Sequence, residues 1–190
     1  MYDLIPEAII KGKILDIGAG NEEWFGDELP QLESKYRDIF LSENYLGIDI
    51  NPPKNGLLNI IRQDLLTFEP NTRFDTILMI EVIEHISIEH WPEVFRKLRS
   101  WLNSGGYLFF SCPYNEPYVS PHPWRHLVFE ITEKTVKNYL PDATFQIYPH
   151  PHAFAAPGEN KFLCSFRYIK RLLTDHPFLK YRLATIWKKR

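Results

Sequence analysis

Short apolar runs alternate with longer amphipathic or turn-rich segments from residue 13 to residue 113, and this rhythm constrains the fold more than any other feature of the chain. Lys13–Ile17 (KILDI) reads as a strand closed by a glycine turn, Gly18–Gly20. Asn44–Ile50 (NYLGIDI) is a second strand, stopped by Pro52 and Pro53, and Leu57–Gln63 is a third, ending at Asp64. Phe74–Glu81 (FDTILMIE) is the most apolar run and the expected centre of a sheet; Tyr107–Cys112 (YLFFSC) is a fifth strand. Between them, Asn21–Tyr36 has room for a helix interrupted by Gly26 and Pro30. Ile88–Leu102 carries Trp91, Val94, Phe95, Leu98 and Leu102 at helical spacing, with Asn103–Gly106 as its stop. Strands separated by helices predict a parallel sheet covered on both faces.

After Pro113 the pattern changes. Residues 114–126 form a loop rich in Pro, His and aromatic side chains. Thr132–Leu140 reads as a helix with Thr132 as N-cap, and Thr144–Tyr148 as a short strand. Phe162, Phe166, Ile169 and Leu173 stand at helical spacing, and Tyr181–Trp187 alternates as a final strand.

At 190 residues, with 13 Phe, 10 Tyr and 5 Trp, the chain has the size and apolar content of one domain with a real core. Two cysteines exclude a disulfide scaffold and a Cys-rich zinc site and fit a reducing compartment. No apolar run reaches the ~18 residues of a membrane span, and Met1–Lys13 does not read as a signal peptide. A cytoplasmic location is therefore expected. The net charge of −2 hides an asymmetry: residues 161–190 hold nine Lys or Arg against Asp175, a net +8, and the preceding residues hold 13 basic and 23 acidic groups, a net −10. A basic segment on an acidic body suits either a solvated face packed on its own core or an anionic partner. With Arg167, Lys170 and Arg171 beside the apolar stripe, peripheral contact with an anionic membrane is one use and packing as a surface helix the commoner one.

The glycine turn directly after the first strand lets a ligand approach the backbone closely. A dinucleotide fingerprint needs G-x-G-x-x-G, whereas Gly18-Ala19-Gly20 is followed by Asn21, Glu22 and Glu23. Two acids would repel a pyrophosphate. The site therefore favours a ligand without phosphates that carries a positive centre, and Asp16 inside the motif agrees. Asp49, at the end of the second strand, is placed to accept both hydroxyls of a ribose, and Asp64, after the third, to accept from an adenine amine. Each acid alone also suits a helix cap or a loop; their joint position at strand C-termini is what points to a ligand.

Taken together, ILDIGAG (14–20), YLGIDINPP (45–53), RQDLL (62–66), FDTILMIEVIEHI (74–86) and LNSGGYLFFSCP (102–113) resemble class I S-adenosylmethionine (SAM)-dependent methyltransferases. The chain is most similar to small bacterial ones with an E-H-I or E-H-L turn after the fourth strand, and PWRHLVFEITEKTVKNYL (123–140) is similar to their segment after the fifth. The resemblance implies an α/β, Rossmann-like, doubly wound sheet of seven mostly parallel strands with an antiparallel last strand. It implies one domain over 1–190, with a basic helical insertion at about 160–176 before that strand. It implies SAM as cofactor: Asp16, Gly18 and Gly20 along its methionine end, Asp49 on the ribose with Ile50 against adenine, Asp64 and Leu65 flanking the ring, and Glu81 near the sulfonium or amino-acid portion through its backbone. The helix that usually precedes the glycine strand is nearly absent here.

Methyl transfer from a sulfonium asks the protein chiefly to align a nucleophile, which supplies ~7–11 kcal/mol; a hydroxyl acceptor gains a further ~10²–10⁴-fold from a general base. His85, just past the fourth strand, and His122 and His126, flanking Trp124-Arg125 in the loop after the fifth, are the candidate catalytic groups. Glu84 beside His85 reads as structural. Arg125 suits a carboxylate or phosphate of the substrate, and Tyr114 and Trp124 suit the walls of an acceptor pocket. His150-Pro151-His152 with His122 and His126 has no carboxylate or Cys at a recognised ligand spacing, so no metal is expected. Asn51-Pro52-Pro53 lies after the wrong strand for an amino-methyltransferase motif, and Lys54 stands where that motif has an aromatic; nucleic-acid methylation is disfavoured.

The leading expectation is methyl transfer to a small-molecule or lipid- or sugar-linked carrier-bound acceptor, with oxygen favoured as the target atom. An NAD(P)-dependent oxidoreductase and a non-catalytic SAM-fold interaction module are the competing readings. Oligomeric state is not legible.

Overall fold

The computed structural model describes residues 5–20, 38–52, 59–115, 126–149 and 181–190. Seven strands form one sheet: β1 (Ile14–Ile17), β2 (Tyr45–Asp49), β3 (Ile60–Arg62), β4 (Phe74–Ile80), β5 (Leu102–Tyr114), β6 (Thr144–Pro149) and β7 (Tyr181–Lys188). Their order is β3-β2-β1-β4-β5-β7-β6. The first five strands are mutually parallel, and β7 runs antiparallel to both β5 and β6. The expected doubly wound sheet with an antiparallel last strand is therefore what the chain forms.

The strand order reverses between β1 and β4. From β1 the chain proceeds outward to β2 and β3, then returns to place β4 on the other side of β1. Loops leaving the C-terminal ends of β1 and β4 diverge there and open the crevice in which ligands of such sheets bind.

Period-two alternation divides the sheet's side chains between two apolar layers. Leu15, Ile17, Ile77, Met79, Leu108, Phe110 and Cys112 face one layer, where helix α1 (Trp91–Trp101) packs Trp91, Val94, Phe95 and Leu98. Ile14, Tyr45, Leu78 and Phe109 face the other, closed by Ile5, Ile9 and Phe40. The stripe read from the sequence is thus the buried face of α1. Pro92 sits in the first turn, where its missing N–H forfeits no helical bond. Lys97 is the exception on that face; its buried ammonium donates to the carbonyls of Leu66 and Phe68 and pairs with Glu69 at 2.8 Å.

Two elements depart from expectation. Residues 103–106 end the helix, but they also begin β5, which starts at Leu102 rather than Tyr107. A register shift opposite Phe74 and Thr76, with Gly105 at φ +76°, absorbs the irregularity. Helix α2 (Glu133–Lys137) is shorter than the segment 132–140, though Thr132 caps it as expected, in a reciprocal capping box with Thr135. The expected helices over 21–36 and 162–173, with the basic insertion at about 160–176, lie outside the described residues.

Candidate active site

The glycine turn is fixed from two sides. The N–H groups of Gly18 and Ala19 both donate to the Ile48 carbonyl, at 2.8 and 3.2 Å, tying the turn to β2. The Gly20 N–H donates to Oδ2 of Asp49 at 3.0 Å, and the Asn51 N–H to Oδ1 at 2.7 Å. Each carboxylate oxygen has two acceptor positions, so Asp49 can anchor this loop and still take hydroxyls from a ligand. Gly18 has φ +68°, and a Cβ there would lie 2.3 Å from Cγ2 of Val82. The turn is a close-approach cradle that only glycine fits.

Asp16 is in a different position from its neighbours in the motif. It is buried on the Tyr45 face of the sheet, and its Oδ2 accepts the Tyr45 hydroxyl at 2.9 Å.

On the far side of β2, Ile50, Arg62, Gln63 and Asp64 line a shallow cavity of about 310 Å³. Ile50 is 60% exposed, an unusual position for an isoleucine and a flat apolar surface for a ring. Asp64 accepts the Leu66 N–H at 2.8 Å and holds the turn that follows. Leu65 sends its side chain into the core. Glycine cradle, acid with spare acceptor positions, apolar platform and second acid follow one another along the C-terminal edges of β1, β2 and β3. This donor set fits a nucleoside carrying a positively charged amino-acid arm.

Glu81 ends β4 with φ +55°. Its side chain turns toward the β5–β7 edge, where Oε1 accepts the Ser111 hydroxyl at 2.9 Å and Oε2 pairs with Arg182 of β7. Its carboxylate is thus engaged within the protein, and its N–H donates to the Ser111 carbonyl at 3.0 Å. Neither Val82 nor Arg182 was visible as a site residue in the sequence, because their partners lie 64 and 101 positions away and no local pattern marks them.

The chain then makes a single tight turn, Ile83–His85, closed by the His85 N–H donating to the Val82 carbonyl at 2.9 Å. The segment after β5 returns to this turn: the N–H groups of Leu127 and Val128 both donate to the Glu84 carbonyl, at 2.7 and 3.1 Å. That clamp brings the His126 ring edge-on to His85, with centroids 5.0 Å apart. Two sequence-selected histidines therefore meet, together with the fully buried Glu84. The adjacency follows from β4 and β5 being neighbours in the sheet, so the loops leaving them abut. Burial, together with the negative charges of Glu84 and Glu81, pushes the Cys112 thiol well above its ordinary range and keeps it neutral. Tyr114, at the end of β5, packs against the main apolar core, and desolvation, with the neighbouring Glu133, raises its hydroxyl. His122, Trp124 and Arg125 lie outside the described residues.

The strand order and the glycine-and-acid edge define a class I SAM-dependent methyltransferase. A family model described as a methyltransferase domain matches residues 3–150, and the chain belongs to that family. The fold is similar to that of a SAM-dependent methyltransferase from Archaeoglobus fulgidus (18% identity, 94% of this chain and 86% of that one, TM-score 0.61). It is similar to the N-methyltransferase NodS from Bradyrhizobium japonicum WM9 (14% identity, 94% and 86% covered, TM-score 0.54). It is also similar to the O-methyltransferase of a trans-AT PKS multienzyme of Brevibacillus brevis, solved with S-adenosylhomocysteine (18% identity, 94% and 67% covered, TM-score 0.55). No curated protein matches the chain by sequence. Among the described residues no helix is long and apolar enough to cross a membrane.

Proposed function

We propose that the protein transfers the methyl group of SAM to a hydroxyl of a small-molecule or carrier-linked acceptor. The observation that carries the choice of oxygen is the His85–His126 pair beside the β4 end of the crevice. A neutral amine can attack a sulfonium unaided once its lone pair is free, whereas a hydroxyl gains from a group that accepts its proton. Bound SAM supplies an activated methyl on a positive sulfur. Gly18 and Gly20 hold its amino-acid portion against the turn, and Asp16 contributes negative potential from beneath. Asp49 would take the ribose hydroxyls, Ile50 would pack against adenine, Asp64 and Leu65 would flank the ring, and the Glu81 main-chain carbonyl would face the amino-acid arm. In the transfer one C–O bond forms, the methyl–sulfur bond breaks, and the hydroxyl proton passes to an imidazole and on to water. Tyr114 forms part of the acceptor wall.

The test is incubation with SAM and a panel of paired acceptors, each offered as the alcohol or phenol and as the matching amine. S-adenosylhomocysteine is quantified and the methylated atom located by mass spectrometry. Oxygen methylation that falls at least ~100-fold in His126→Ala, within the range for a lost proton acceptor, supports the reading. Methylation of the amines alone, with an undiminished rate in His126→Ala, overturns it.

A further inference from the structure

We propose that Glu84, His85 and His126 form a binding site for a divalent first-row transition cation such as Zn²⁺ or Co²⁺. One ligand atom from each of the three lies within 4.8 Å of the others. Two imidazoles with one carboxylate are a donor set that holds such cations, imidazole favouring zinc, cobalt and iron over the harder magnesium or calcium. Three protein ligands with a further position open to solvent is the arrangement of catalytic rather than structural centres.

The surroundings support a cation here. Glu84 is fully buried, at 0% exposure, while both imidazoles reach the surface. The backbone is pre-set: two N–H groups from 127 and 128 fix the segment carrying His126 on the carbonyl of Glu84 itself. Ligand atoms around a tetrahedral ion at ~2.1 Å stand about 3.4 Å apart. Closing the set on an ion therefore asks the two partly exposed imidazoles to draw in from the present spacing. The ligand pattern is absent from the linear sequence because it joins an adjacent Glu-His pair to a histidine 41 positions later.

The cation site stands on this geometry alone; its use rests on the oxygen transfer proposed above. With the ion bound, both imidazoles are ligands, the acceptor hydroxyl takes the open position, and its proton leaves to water rather than to a histidine. The imidazole route then belongs to the cation-free site.

The test uses the full chain, stripped with a chelator and titrated with Co²⁺ and, in parallel, Zn²⁺. Visible d–d absorption reads the first and calorimetry the second, with S-adenosylhomocysteine binding measured separately in metal-free protein. The expected result is one ion per chain and at least a tenfold weaker Kd for Zn²⁺ in His85→Ala, His126→Ala and Glu84→Gln, while S-adenosylhomocysteine binding is retained. His85→Ala serves if the buried Glu84→Gln fails to fold. Absence of binding in the wild type, or a Kd in His85→Ala and His126→Ala equal to that of the wild type, overturns the site. Loss of S-adenosylhomocysteine binding in the wild type, with metal binding intact, would instead count against the methyltransferase reading and leave the cation site standing.

Discussion

Gly18 and Val82 fit together with no room for a methyl group between them: a Cβ on Gly18 would sit 2.3 Å from Val82 Cγ2. This contact joins the turn after β1 to the turn after β4 across the point where the strand order reverses.

Gly18→Ala is expected to destabilise the protein by ~1–3 kcal/mol, through the positive φ and the overpacking together. Adding Val82→Ala should restore the part due to the clash and leave the part due to φ. Urea denaturation of the two variants and the wild type checks this; a double variant no more stable than the single would show that Val82 is not the obstacle.

Asp49 has two tasks in one side chain, holding the Gly20 and Asn51 N–H groups and offering acceptor positions to a ribose. Asp49→Ala should weaken SAM binding by on the order of 1–3 kcal/mol, the cost of hydroxyls left without acceptors. Asp49→Asn should lose less, since one oxygen remains. Calorimetric titration with SAM measures both, and affinities equal to wild type in a folded Asp49→Ala would remove the ribose role.

The strands and the glycine-acid edge were legible because each is a local signal: alternation, a turn, an acid at a strand end. β5 was longer than read, because Gly105 and Gly106 look like a stop until their pairing with Lys189, 84 positions from Gly105, is seen. Asp16 lies on the Tyr45 face, where its carboxylate accepts the Tyr45 hydroxyl; strand parity alone assigns it to that face. Glu84 read as structural from its place in a turn, and only the return of residues 126–128 gives it two histidine neighbours. What escaped the sequence is long-range pairing between loops, which no periodicity encodes.

The Glu81–Arg182 pair ties the end of β4 to β7, with side chains 15% and 10% exposed. Truncating one member of a buried pair leaves the other charge desolvated, and the cost is roughly 3–5 kcal/mol. Glu81→Ala is therefore expected to lower Tm markedly. Glu81→Gln combined with Arg182→Met should cost less than the sum of the single changes, because the two residues share one interaction. Additive losses in thermal unfolding would show that they act independently.

Asp75 provides a pH-dependent tie at the opposite, N-terminal end of β4. Its Oδ1 accepts from the Asn103 amide at 2.8 Å and its Oδ2 from the Lys13 N–H at 2.9 Å, joining β1's entry to the β5 bulge. The Asn103 bond, then the Lys13 bond, hold its carboxyl below the ordinary value, with Lys11 and Lys13 charges adding to them and partial burial opposing. A carboxyl depressed in the folded state binds its proton more readily when unfolded, so its stabilisation is full above the unfolded value of ~3.9 and is lost as pH falls through the folded one. Asp75→Asn should therefore be less stable than wild type at about pH 7, and the gap should narrow as pH drops below about 4. Solvent reaching this carboxylate keeps the difference small. Urea midpoints for both proteins across that range provide the measurement, and a gap that stays constant down to the acid limit would mean that Asp75 stabilises by shape rather than by charge.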